Sequence, residues 1–179
     1  MNILPTESLG KRICIIGPSS TGKSTLADSL AKKLGIKAHH LDLTAHIPNS
    51  NFERRPDPEF IAEHNKIIAE ETWVIDGNYS ITMNERLARA KLLIWLDYTP
   101  LYSVYNFIMR CFKPVENRIG HLEGAPHKIN PALIKHTLIQ YPKNKVKYKK
   151  LLQFHPHLPV IYIHSMKELN EYYKHWGLN

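Results

Sequence analysis

Nine consecutive residues, Gly17-Pro18-Ser19-Ser20-Thr21-Gly22-Lys23-Ser24-Thr25, carry the clearest chemical signal in the chain. Their spacing is G-x-x-x-x-G-K-[ST], the pattern of a loop that cradles phosphates between a strand and a helix. Glycine at both ends lets the backbone curl so that its N–H groups point inward at phosphate oxygens, and the helix N-terminus that follows adds partial positive charge. Gly17, Ser19, Ser20, Thr21, Gly22, Lys23, Ser24 and Thr25 are therefore the expected nucleotide-binding residues. In such a loop the lysine reaches the β- and γ-phosphates, and the hydroxyl of Ser24 is offered to Mg²⁺, a hard ion that takes oxygen ligands. The expected cofactors are ATP and Mg²⁺.

Phosphoryl transfer asks for positioning and charge neutralisation more than covalent chemistry, so the other groups to find are cations near the γ-phosphate and an acid near the acceptor. Asp42 follows the apolar segment Ile36 to Leu41 and is placed at the end of a second strand. There it would orient or deprotonate an acceptor hydroxyl. Arg110 and Arg118 flank a polar segment and are expected to clamp the transferred group, since guanidinium forks match phosphate oxygens in two-point contacts. Lys23, Asp42, Arg110 and Arg118 make up the expected catalytic set. Arg54 and Arg55 lie in a proline-bearing loop and suit a substrate phosphate or carboxylate. Asp97 reads as a cap of the next turn and stays outside the set.

The elements that must hold these residues are visible in the patterning. Lys11 to Ile16 is a continuous apolar run after a basic start, as in a strand buried on both faces of a parallel sheet. Lys23 to Leu34 has leucines at helical spacing and stops at Gly35. A helix is expected to begin around Asp57-Pro58, with Asp57 as cap. Trp73 to Ile75 and Lys91 to Leu96 are further strands ending in Asp76 and Asp97, with a short helix at Met83 to Ala90 between them. Leu101 to Phe112 is amphipathic, and Lys113 to Pro131 has no period and reads as a lid. Pro131 to Leu152 is helical with a break near Pro142, then come a strand at Leu158 to Ile163 and a helix at Met166 to Trp176. This alternation indicates a three-layer parallel α/β fold.

Length and composition bound the remainder. The 179 residues suit one α/β domain over 1–179, with the lid at about 113–131. The longest purely apolar stretch, Leu92 to Leu96, is far short of the roughly 20 residues that span a bilayer. No leader of secretory type is read at the N-terminus, so a cytoplasmic location is expected. Cys14 and Cys111 stand too far apart in sequence for a paired zinc knuckle. The formal charge of +8 favours anionic partners. A guanine switch would need Asn-Lys-x-Asp, and neither Asn65-Lys66-Ile67-Ile68 nor Asn144-Lys145-Val146-Lys147 supplies the acid.

Taken with the phosphate loop, His40-Leu41-Asp42, Ile75-Asp76-Gly77-Asn78-Tyr79-Ser80 and Ile94-Trp95-Leu96-Asp97 make the chain resemble adenylate-kinase-like P-loop proteins, and among them the bacterial "DNA topology modulation protein" family. The resemblance implies a P-loop NTPase fold with a five-stranded parallel sheet in the order 2-3-1-4-5 and a helical lid. It also implies that Asp76 holds a Mg²⁺-bound water, so that Ser24 and Asp76 form the expected metal site. That family commonly carries a tryptophan- and glycine-containing loop after its His-Leu-Asp segment, and here Thr44 to Asn51 takes that place. The expected activity is that of a kinase of the nucleoside-monophosphate-kinase type, transferring a γ-phosphoryl group to a nucleotide or another small acidic or phosphorylated acceptor. The alternative is an ATP-binding regulator associated with nucleic acid, motivated by the basic tract Lys143 to Lys150.

Overall fold

The computed structural model describes residues 3–48, 50, 53–112 and 131–178. The first strand, β1 (Arg12–Ile16), leads through the phosphate loop into α1 (Lys23–Leu34), which ends at Gly35 in the left-handed conformation. Then follow β2 (Ala38–His40), the short α2 (Leu41–Ala45), α3 (Asp57–Ala69), β3 (Trp73–Asp76), α4 (Met83–Arg89) and β4 (Leu92–Leu96). The remainder is α5 (Pro100–Cys111), α6 (Pro131–Lys135), α7 (Tyr141–Leu152), β5 (Val160–Ile163) and α8 (Met166–Trp176). A 3-10 turn at Thr6–Ser8, which no sequence pattern announces, precedes β1.

All strand pairs are parallel, and the order across the sheet is β2-β3-β1-β4-β5. Side chains alternate across a strand, so each strand feeds two cores. Ile13 and Ile15 pack with Leu26 and Leu30 of α1 and with Leu169 and Trp176 of α8. Cys14 and Ile16 face the other way, toward Phe60 and Ile68 of α3 and Leu87 of α4, with Trp95 and Tyr148 in the same cluster. Helices therefore cover both faces, giving the three-layer α/β fold expected from the strand and helix alternation, with the strand order of the P-loop NTPase fold that the resemblance implied.

Two local expectations are corrected. The second strand is only Ala38–His40, and Asp42 sits not at its end but in the first turn of α2. The chain turns here because buried Leu41 tucks against Gly77, where an added Cβ would lie 2.9 Å from the Leu41 Cβ. In α3 the cap is Pro56, and Asp57 is already the first helical residue. The break near Pro142 takes the form of a widened π-type turn at His136–Gln140, with the N–H of Tyr141 donating to the carbonyl of His136. Proline has no N–H and its ring crowds the carbonyl four residues back, so the turn before it opens. Lys113 to Asn130, and with them Arg118 and nearly all of the expected lid, lie outside the described residues; Pro131 opens α6.

Candidate functional site

The phosphate loop leaves the C-terminal end of β1 in the middle of the sheet, with β3 on one side and β4 on the other. In open α/β sheets this crevice beyond the strand ends is where ligands bind. Gly17, the first loop residue, has φ of +152°, and a Cβ there would come within 2.6 Å of the Leu96 carbonyl oxygen. Only glycine fits. Ser20 adopts a left-handed φ of 58° and Gly22 one of 89°, which produces the curl before α1. Thr21 Oγ1 donates to the carbonyl of Pro18 at 2.9 Å, and Ser103 of α5 donates to the carbonyl of Ser19. Ser20 Oγ is buried and has no hydrogen-bond partner among the described residues.

Asn78 fixes the start of the loop. Its side-chain oxygen accepts from the Gly17 N–H at 3.1 Å, and its amide donates to the Gly17 carbonyl at 2.5 Å. The segment carrying Asn78 is itself braced from below by Arg86, which is fully buried and donates to the carbonyls of Gly77 and Tyr79, each at 3.0 Å. Tyr148 of α7 donates to the Asn78 carbonyl.

Ser24, at the start of α1, donates to Asp76 Oδ2 at 2.8 Å. The other oxygen of Asp76 lies 2.6 Å from His40 Nδ1, and His40 Nε2 lies 3.0 Å from Asp28 Oδ1. Burial opposes a charge on His40, but the hydrogen bond and charge of Asp76, helped by Asp28, outweigh it and raise its pKa above the usual histidine value. With a carboxylate at each ring nitrogen, the imidazolium donates twice. The hydroxyl and carboxylate of Ser24 and Asp76 form an oxygen donor pair of the kind a magnesium ion takes beside a phosphate chain.

Lys23 Nζ donates to the Pro18 carbonyl at 2.7 Å. Burial lowers its pKa, Asp76 and Asp42 pull it back up, and Arg110 pushes it down again. Arg110, in the last turn of α5, is thus within electrostatic reach of the loop lysine. Thr25 is exposed on α1.

Lys23 and Asp42 line one cavity of about 510 Å³, together with Ser19, Arg54, Asp57 and Tyr79. Asp42 Oδ1 accepts from the Tyr79 hydroxyl at 2.8 Å, and Arg54 donates to Asp57 at 2.8 Å. Arg55 turns elsewhere, donating to the Thr44 carbonyl at 3.1 Å and lying 3.8 Å from Glu59. The far wall comes from α6, the π-type turn and Tyr141. A second cavity, of about 370 Å³, opens between the start of α5 and the start of α8 and is lined by Tyr98, Tyr102, His164 and Ser165. In the basic tract, Lys145 is not simply solvated: it pairs with Asp97 at 2.5 Å.

Sequence reasoning assigned no role to Asn78, His40, Tyr79, Arg86 or Ser103. Asn78 and His40 stood within motifs already singled out, beside Asp76 and before Asp42. Arg86 and Ser103 gave no signal, since a lone arginine or serine on a helix reads as surface.

No protein-family model matches the chain, and no curated protein matches it. Solved structures do. A gluconokinase from Sinorhizobium meliloti 1021 superposes with a TM-score of 0.53 at 16% identity, over 94% of this chain and 89% of that one. A shikimate kinase from Acinetobacter baumannii, in complex with shikimate, aligns at 17% identity over 95% of this chain and 94% of its own, with a TM-score of 0.48. The first likeness agrees with the P-loop NTPase fold described above.

Proposed function

We propose that this chain is an ATP- and Mg²⁺-dependent P-loop kinase that transfers the γ-phosphoryl group to a small acceptor bound beside the phosphate loop. One observation carries the reading. Lys23 and Asp42 line the same cavity, so a phosphate-binding cation and an acid face the space where an acceptor hydroxyl would sit. A loop that only bound and hydrolysed ATP would need no such chamber opposite its lysine.

In this reading the loop N–H groups and Lys23 hold the triphosphate, with Ser24 and Asp76 serving the metal and His40 keeping Asp76 in place. Ser24 and Asp76 would hold magnesium there, and the ion would supply positive charge against the negative charge of the phosphates. Asp42 orients the acceptor O–H and takes its proton as the oxygen attacks the γ-phosphorus. The bond from that phosphorus to the β–γ bridging oxygen breaks, and ADP leaves with the electron pair. Arg110, within electrostatic reach of Lys23, would lend its charge to the transferring group. Arg118 would join it, as its place in the sequence suggests. The nucleoside fits the second cavity, between the rings of Tyr98 and Tyr102 and the Ser165 turn. Such a kinase works in the cytoplasm, where ATP is abundant.

The test is ADP release from ATP and Mg²⁺ across a panel of hydroxyl-bearing small molecules. The kinase reading predicts that one compound stimulates release at least about tenfold, worth about 1.4 kcal/mol of barrier. Slow release that ignores every acceptor would contradict it and favour an ATP-binding regulator.

A further inference from the structure

Resting on the kinase reading, the acceptor chamber carries information about what it accepts. Its described charged walls are Lys23, Arg54, Asp42 and Asp57. A bound triphosphate claims Lys23. Among the described lining residues, what remains for the acceptor is one guanidinium against two carboxylates, and that guanidinium already donates to Asp57 at 2.8 Å. A phosphomonoester dianion has acceptor oxygens only, so Asp42 and Asp57 would repel both of its charges, and an Arg54 shared with Asp57 offsets that less well than it would a single carboxylate.

Hydroxyl groups meet the opposite reception. Carboxylates accept from them, and the chamber adds the hydroxyls of Ser19 and of Ser80, the latter 3.2 Å from the Tyr148 hydroxyl, each able to give and receive. The phenols are less free. Tyr79 spends its proton on Asp42, and its ring lies 4.9 Å from Phe60, with the Arg54 guanidinium 6.0 Å from its centroid. Tyr141 is 2% exposed and receives a hydrogen bond from Trp95 Nε1. Among the described lining residues, His136 is the remaining planar ring. A purine or pyrimidine thus finds little to stack on, whereas a chain of hydroxyls finds donors and acceptors along two walls.

We infer that the acceptor is a small polyhydroxylated compound, a sugar, alditol or sugar acid with at most one carboxylate, and not a nucleoside monophosphate. Asp42 addresses the hydroxyl that is phosphorylated. The Arg54–Asp57 pair serves as a neutral clamp, with Arg54 donating to a substrate oxygen and Asp57 accepting from a substrate hydroxyl.

The experiment has two arms. Calorimetry with a non-hydrolysable ATP analogue and Mg²⁺ reads nucleotide binding alone. ADP release is then measured with aldoses, alditols and aldonates of four to seven carbons, and with AMP, GMP, CMP and UMP. The inference predicts at least about tenfold stimulation by one polyhydroxylated compound and less than about twofold by every monophosphate. Stimulation by a nucleoside monophosphate overturns the inference and leaves the kinase reading standing. Binding of the analogue without stimulation by any polyhydroxylated compound overturns it as well. If the analogue does not bind, the kinase reading fails and this inference with it. Asp57→Asn removes one repelling charge and loosens Arg54, so inhibition by glucose 6-phosphate should strengthen at least about fivefold. Unchanged inhibition would contradict the charge argument.

Discussion

On one side of Lys23 the polar groups are tied to one another and to the sheet. Ser24, Asp76, His40 and Asp28 form a continuous chain of short contacts, and Asn78 grips the Gly17 peptide from both ends. Asp76 is 4% exposed. On the other side Asp42, Arg54 and Asp57 are exposed, and Asp42 stands on a helix of five residues. Phosphate oxygens are stabilised by dipoles that need not reorganise, which demands a rigid, buried frame. An acceptor is held by a few hydrogen bonds that side chains can supply from short surface elements. Lesions on the first side should therefore cost far more turnover than lesions on the second.

The comparison can be broken by substitution. Lys23→Ala should lower turnover by about a thousandfold, roughly 4 kcal/mol, with a melting temperature close to wild type because a buried charge is lost along with its hydrogen bond. Steady-state kinetics and a thermal melt check both halves of that statement. Asp76→Asn should cost about a hundredfold in kcat/KM and raise the Mg²⁺ concentration needed for half activity, since the oxygen set beside Ser24 loses its charge. A Mg²⁺ titration reads this directly.

Two histidines sharpen the contrast by titrating in opposite senses. His64, under the acceptor half in α3, is fully buried, and burial, helped by the charge of Arg86, lowers its pKa to about 4. The unfolded chain binds that proton near pH 6.5, so the stability His64 contributes is present above that value and is lost as pH falls toward about 4. Between pH 7 and pH 5 the loss is about 2 kcal/mol. His40, in the nucleotide half, has a raised pKa. Its contribution is complete below the unfolded value and disappears as pH rises through the folded one. Urea unfolding at pH 5 and pH 7 should show a smaller pH effect for His64→Gln than for wild type, and a larger acid loss for His40→Gln. Smallest of all, Asp42→Asn should lower kcat about tenfold, because a loose phosphoryl transition state asks little of its base. A loss as large as that of Lys23→Ala would erase the distinction between the two halves.

Much of the frame was legible in one dimension because it depends on local patterns. The Gly-Lys-Ser spacing and the leucine period located the loop and α1, and apolar runs ending in acids located β3 and β4. The bounds of α1, stopped by Gly35, and of α8 coincide with those expected from the sequence. The contacts that finish the site join distant residues. Asn78 meets Gly17 across 61 positions, and His40 meets Asp76 across 36. No periodicity encodes such a pairing. Asp42 was misplaced for the same reason: β2 stops at His40, whose ring is held by Asp28 and Asp76, and Leu41 turns inward onto Gly77. Both determinants come from elsewhere in the chain.

The central claim is that the γ-phosphoryl group leaves ATP for a hydroxyl bound between Lys23 and Asp42. Phosphorus NMR of a reaction containing ATP, Mg²⁺ and the best stimulating acceptor follows that group directly. The account predicts a new phosphate-ester resonance that grows in step with ADP and is absent with Lys23→Ala. Inorganic phosphate as the sole product alongside ADP would contradict it.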